Sequence, residues 1–313
     1  MLDIIFVIIV FIAIILFWVM LYDTGRFVVV KHTVKNSKIK GKVRAIVLAD
    51  LHNKQYGKDN ELLLQAIDDQ NPDIILIAGD ILTAHPGKSL KKAISFMEKL
   101  AAKYPIYYGN GNHEHRIKLY PQTYGTMAEE YADALKKMGV EPLVNARRDL
   151  ATDFAVTECK GPGALPEGEK REVLANSNLC IYGAEIDRKY YKRFTVPVME
   201  EGYMKSILGE PDKKKFNILL SHNPDYFPNE ADWGADLVLS GHVHGGIVRI
   251  PGWKGVASPN IRFFPKYDGG IFTEGESVMI LSRGLGVHTI PFRLFNPGEL
   301  IVLELEEESV TES

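Results

Sequence analysis

Five apolar runs of this 313-residue chain end in residues able to hold a metal ion. VRAIVLADLH closes on Asp50 and His52, IILIAGD on Asp80, and PIYYGNGNHE on Asn112 and His113; KFNILLSH closes on His222, and ADLVLSGHVHGG on His242 and His244. A lone His-x-His run such as 242–244 is more often structural or solvated than ligating. Five endings in order carry more weight, because loops beyond the carboxyl ends of strands in an open α/β sheet form a common ligand crevice. Imidazole and carboxylate donors without thiolate favour Zn, Fe or Mn over soft metals. The set exceeds what one tetrahedral ion takes. It suits two ions a few ångströms apart that share a carboxylate.

The elements that must position these residues follow from periodicity. Apolar runs at 43–50 and 74–80 read as buried strands, 105–114 as a third strand breaking into a loop, and 59–73, 89–104 and 124–138 as helices. This β-α-β-α-β series predicts a mainly parallel sheet covered on two sides. Residues 150–215 carry a Gly/Pro/charge-rich excursion, 215–222 and 235–242 return to the strand pattern, and short strands run from Gly246 to 306. Hydrophobic residues make up 46% of the chain, enough for a core without disulfide staples. Cys159 and Cys180 are accordingly read as free thiols. A net charge of −3 shows no basic excess, so no nucleic-acid partner is expected.

The N-terminus is apolar on every face. Ile4 to Leu21 contains no charge, Gly or Pro, and as a helix it would be about 27 Å long, close to a hydrocarbon core. Trp18 and Tyr22 fall where an interfacial aromatic belt would lie. The flanks do not match a cleaved signal peptide. Residues 1–24 are therefore read as a single-pass membrane anchor, and 25–42 as a basic juxtamembrane linker able to rest on anionic head groups. Arg26, Lys31, Lys35, Lys38, Lys40, Lys42 and Arg44 follow the span, which places the remainder on the cytoplasmic side of the cell membrane.

The blocks DLH (50–52), GD (79–80), GNHE (111–114), SHNP (221–224) and GHVHGG (241–246) together resemble the calcineurin-like metallophosphoesterases. SPNIRFFPKYDGG and SRGLGVHTIPFRLFNPGEL are similar to a bacterial membrane-associated branch that includes phosphodiesterases and UDP-diacylglucosamine pyrophosphate hydrolase-like enzymes. The resemblance covers residues 43 to 306 and implies an α/β fold, an αββα sandwich of two mixed β-sheets flanked by helices, with residues 307–313 left as an acidic tail. It implies two divalent cations (Mn2+, Fe2+/Fe3+ or Zn2+). One would be held by Asp50, His52, Asp80 and His244, the other by Asp80, Asn112, His222 and His242. His113 would contact substrate instead of metal and supply a proton or positive charge to the leaving oxygen. The implied chemistry is in-line hydrolysis of a phosphodiester or pyrophosphate, of a lipid-linked or membrane-proximal substrate, by a water activated between the ions. A phosphomonoesterase or nucleotide hydrolase on the same centre is the alternative, and a non-catalytic metal-binding scaffold the reading from another class. Arg249, Arg283 and His288 are expected to touch substrate, Glu114 to brace a loop, and DRKYYKRF (187–194) to line an entrance. The chain departs from the branch at Ile247, where Gln is usual, and in GDILTAH, which lacks an acidic residue after Asp80.

Overall fold

The computed structural model describes residues 1–155, 164, 168–256, 262–287 and 291–308. His288 and Cys159 lie outside them; Cys180 is a buried free thiol. A long helix, α1 (Leu2–Gly25), leads into strands β1 (Phe27–Asn36) and β2 (Lys42–Leu48). These are followed by β3 (Ile74–Ala78), β4 (Ile106–Gly109), β5 (Pro142–Leu143) and β6 (Ala146–Asp149). The second half contributes β7 (Leu179–Ala184), β8 (Phe216–Ser221), β9 (Leu237–Ser240), β10 (Gly270–Glu274), β11 (Ser277–Leu281) and β12 (Gly298–Glu307).

Two six-stranded mixed sheets result, in the orders β1-β12-β2-β3-β4-β5 and β10-β11-β9-β8-β7-β6. The runs β2, β3, β4 and β7, β8, β9 are each parallel. Buried on both faces, they read as continuous Val/Ile/Leu stretches instead of alternating ones. Val47, Leu76, Tyr107, Ile218, Leu220 and Leu239 fill the layer between the sheets. Helices α2 (Glu61–Asp68) and α3 (Lys91–Ala101) cover the outer face of the first sheet, burying Leu63, Ile67, Phe96, Met97 and Leu100. Met204, Phe227 and Trp233 cover the second. The architecture is the expected αββα sandwich.

The segment 25–42 is not a linker. Residues 27–36 form β1, paired in parallel with β12 from Phe27↔Gly298 to Asn36↔Glu307. Val28, Val30, His32 and Val34 turn inward while Val29, Lys31, Thr33 and Lys35 face solvent, the period-two pattern of a strand with one solvated face. Several cations expected on lipid head groups pair within the domain instead: Lys38 with Asp236, Lys40 with Glu307, Lys42 with Glu304 and Glu306, and Arg44 with Glu304. Opposite charges facing each other across neighbouring strands contribute about 0.2–1 kcal/mol per pair.

Glu230 is fully buried behind β8, where it accepts a hydrogen bond from the Ser221 hydroxyl. Burial pushes its carboxyl from 4.5 up to about 8, with the Ser221 bond opposing. Between those values the folded chain keeps a proton that the unfolded chain has released. The contribution is complete below 4.5 and is lost as pH rises through about 8, with a slope of up to about 1.4 kcal/mol per pH unit. Glu230→Gln should remove that slope from the stability–pH curve measured by urea unfolding; an unaltered slope would contradict the assignment.

Candidate metal centre

The site forms where the carboxyl ends of β2, β3, β4, β8 and β9 meet. Main-chain bonds continue past the strands and lock the loops together: Asp50 N–H donates to Gly79 O at 3.0 Å, His52 N–H to Asp80 O at 3.0 Å, and Gly241 N–H to His222 O at 3.2 Å. Asp50, His52, Asp80, His242 and His244 all have positive φ, between 49° and 75°. Such backbone is costly for residues carrying a Cβ and persists where the surroundings over-determine it. Gly79, with φ of +93°, leaves room for Gly111, whose Cα would lie 2.5 Å from a Cβ at 79.

Each of the two central carboxylates has one oxygen tied to the backbone and one aimed inward. Asp50 Oδ2 accepts from the His242 amide at 2.9 Å, and Asp80 Oδ1 from the His113 amide at 2.8 Å. Asp50 Oδ1 lies 3.3 Å from His244 Nε2 and 3.7 Å from the Nε2 atoms of His52 and His222. Asp80 Oδ2 lies 3.0 Å from His222 Nε2, 3.7 Å from His52 Nε2 and 4.0 Å from His113 Nε2. The His52 and His244 rings stack at 5.0 Å with their Nε2 atoms 3.1 Å apart. Two imidazole lone pairs at that separation repel unless a proton or a cation lies between them. Asp50 Oδ1, Asn112 Oδ1 and His222 Nε2 are buried without a hydrogen-bond partner. Ligating atoms gather within 4.8 Å as Asp50–His52–His244, Asp80–His222–His242 and His52–Asp80–His113. Buried imidazole and carboxylate ligand atoms gathered in this way, with Asp80 shared between groups, fit two hard or borderline divalent cations.

The partners of the remaining ring nitrogens separate histidines of identical type. His222 Nδ1 faces Ala78 O at 2.6 Å and His244 Nδ1 faces Gly286 O at 3.4 Å. A carbonyl only accepts, so both rings hold a proton on Nδ1 and turn Nε2 toward the site, where a divalent cation would displace any second proton held there. His113 is the reverse. Its Nδ1 accepts from the Ala84 amide at 2.7 Å, so its proton sits on Nε2 and points inward as a donor. That argues against metal ligation by His113, despite its proximity.

The electrostatics are those of a dense ion cluster. Burial raises the carboxyls of Asp50 and Asp80, yet the surrounding imidazoles, His244 foremost for Asp50 and His222 for Asp80, hold both well below the usual carboxylate range. Burial opposes protonation of His222, but Asp80 and Asp50 push it up to about 10. Burial depresses His242 and His244. Glu114 stands behind Asp80 as a brace. It accepts the amides of Asp80, Ile81 and Gly111 at 3.0 Å and the Tyr108 hydroxyl at 2.8 Å. Burial and the Asp80 charge raise it to about 7.

The arginines have structural partners. Arg249 donates to Gly245 O and Asp268 O, at 2.8 and 2.6 Å. Arg283 pairs with Glu299 at 3.3 Å. Arg293, fully buried, is a carbonyl clamp bonded to Gly284 O, Gly286 O and Arg283 O. Asn296 grips His244 O at 2.8 Å and also Gly246 O. Nothing in the local sequence around Asn296 signals this role. Ile247 is half-buried, its carbonyl accepting the Leu294 amide at 3.2 Å. From the 187–194 stretch, Tyr191 reaches the site, its ring 5.2 Å from that of His242; Phe194 stays 71% exposed.

Residues 43–246 match the family model of the calcineurin-like phosphoesterases. Phosphodiesterase YaeI of Escherichia coli is 26% identical over 292 residues, covering 90% of each chain. An uncharacterized metallophosphoesterase of Bacillus subtilis, YkuE, is 24% identical over 88% of this chain and 84% of its own. UDP-2,3-diacylglucosamine pyrophosphatase LpxG of Chlamydia muridarum is 22% identical over 83% of each. With its strand-end clusters and the family model spanning most of the sandwich, the chain belongs to the calcineurin-like phosphoesterase family and is a metal-dependent hydrolase.

Proposed function

We propose that the chain is a membrane-anchored dinuclear-metal phosphoesterase that cleaves phosphodiester or pyrophosphate bonds of a lipid-linked or membrane-proximal substrate. The observation that carries the chemistry is the pair of inward carboxylate oxygens, Asp50 Oδ1 and Asp80 Oδ2, set among imidazole Nε2 atoms. Asp50, His52, Asp80 and His244 would hold one ion, and Asp80, Asn112, His222 and His242 the other, with Asp80 shared. Bound there, two divalent cations would supply a nucleophile from water near neutral pH and neutralise charge on the phosphoryl oxygens. The His113 Nε2 proton would serve the leaving oxygen, as donor of a hydrogen bond or of the proton itself. Arg249 and Arg283 are bonded to the chain, so their part is to shape the rim unless substrate displaces a partner.

Two supports favour an anchored enzyme with a lipid-side substrate. Helix α1 is 24 residues long, and none of its apolar span is buried; so large an apolar surface calls for hydrocarbon. The chlamydial relative carries the name of a pyrophosphatase for a diacylated sugar nucleotide. The cations following α1 favour a cytoplasmic catalytic domain.

A Mn2+-loaded panel of aryl mono- and diesters, nucleotide diphosphate-sugars and phospholipids tests the class; turnover confined to monoesters would reject the diester reading. His113→Ala should lower kcat by about 10²- to 10⁴-fold and leave the metal content at wild type; loss of metal along with turnover would sink its assigned role. Asp80→Asn should weaken both ions together. Elemental analysis finding two tightly held ions in that variant would refute the bridge.

A further inference from the structure

The direction of the strands fixes which end of the sandwich faces α1. β12 runs antiparallel to β2, with Ile301 opposite Val47, and β1 runs parallel to β12. The first residues of β1 therefore lie at the end of the sheet where β2, β3 and β4 finish, the end that carries Asp50, Asp80 and Asn112. Only Arg26 separates α1 from β1. The junction is fastened at that same end. Asp23 Oδ2 accepts the Asn296 amide at 3.2 Å, Thr24 Oγ1 the Arg293 amide at 2.9 Å, and Thr24 O the Lys54 ammonium at 3.0 Å. Asp23, at 3% exposure, is buried in this joint.

The loop that holds α1 also carries an exposed aromatic surface. Val248 bridges Leu294, Val256 N–H donates to Val248 O at 2.7 Å, and Phe264 N–H to Val256 O at 2.9 Å. On this ribbon Trp253 is 60%, Phe263 71% and Phe264 52% exposed, with the Trp253 and Phe264 rings 5.9 Å apart. Ile250 and Phe295 are exposed beside them, as is Lys254. Aromatic rings next to a lysine that can extend its ammonium toward head groups are the composition of a membrane-interface contact.

We infer that Ile250, Trp253, Phe263, Phe264 and Phe295 form a second membrane contact, which lays the metal-bearing end of the sandwich against the bilayer surface beside α1. The occupant of this surface is lipid, because the ribbon is hydrogen-bonded to the very loop that grips the end of the apolar helix. The inference rests on the reading of α1 as an anchor. It gives that anchor a geometry: the site is held at head-group depth instead of being tethered at a distance.

The chain has three tryptophans, Trp18 in α1, Trp233 in the core and Trp253 on the ribbon. Full-length protein in phosphatidylcholine–phosphatidylglycerol vesicles bearing lipid brominated near the head group is compared with Trp253→Phe. Trp18 reports the anchor and the difference between the two proteins reports the ribbon. Greater loss of emission in the wild type than in the variant is the expected result. Equal quenching in both keeps the anchor and overturns the second contact. No quenching in either removes the anchor and this inference with it. Quenching confined to Trp253 would reject the anchor on which the inference rests and overturn the proposed geometry.

Discussion

Two buried carboxylates, each with one oxygen pinned by a backbone amide and the other turned among imidazole nitrogens, are the constraint around which this fold is arranged. Burying an anionic group without compensation is costly. Asp50 and Asp80 therefore need the His242 and His113 amides on one side and the imidazole ring nitrogens on the other. Bringing those amides into position bends the loops through left-handed backbone at Asp50, His52, Asp80, His242 and His244. Each such residue costs about 1–3 kcal/mol. The opposing support is the rigid double-sheet core, the zipper between loops 50–53 and 79–81, and the Glu114 brace.

The same constraint reaches the apolar helix α1. Asn296 fixes the carbonyl of His244, Arg293 fixes those of Gly284 and Gly286, and the amides of both residues are held by the last turn of α1. The path from Thr24 or Asp23 to the His244 main chain is one hydrogen-bonded residue long. A helix joined in this way is part of the scaffold of the site. That explains why β1 follows it after a single residue and why Asp23, a charge beside an apolar helix, is buried: Arg26 pairs with it at 2.9 Å and the Asn296 amide takes its other oxygen.

The site was legible in the sequence because its signal is local. Each metal-type residue sits at the end of an apolar run, and strand ends in parallel sheets converge whatever the sequences between them. The two-sheet core was legible for the same reason, as were the helices at 61–68, 91–101 and 127–137, to within a few residues. β1 was not. Its alternation at Val30, His32 and Val34 is real, but Lys31, Lys35 and Lys38 invite a reading by charge, and the partners that neutralise the neighbouring cations sit at Glu304, Glu306 and Glu307, far along the chain. The Arg293–Asn296 clamp was hidden for a related reason. Its bonds go to carbonyls, which every residue has, so no residue type betrays them.

Histidine chemistry shows the limit most sharply. His113, His222 and His244 are the same residue at comparable strand ends, and spacing cannot distinguish a ligand from a proton donor. The decision is made by a backbone group behind each ring. The Ala78 and Gly286 carbonyls each accept from an Nδ1–H and so turn Nε2 to the site as the atom able to bind a cation, whereas the Ala84 amide donates a hydrogen bond to Nδ1 and so places the His113 proton on Nε2. Ala84 lies in the loop after Asp80, and its amide reaches His113 from the same loop whose Ile81 and Leu82 amides turn onto Glu114. Glu114 thus braces the loop whose Ala84 amide sets the tautomer of the imidazole proposed to act on the leaving group. Division of labour among these histidines is written in main-chain polarity, and through it in the path of the loops.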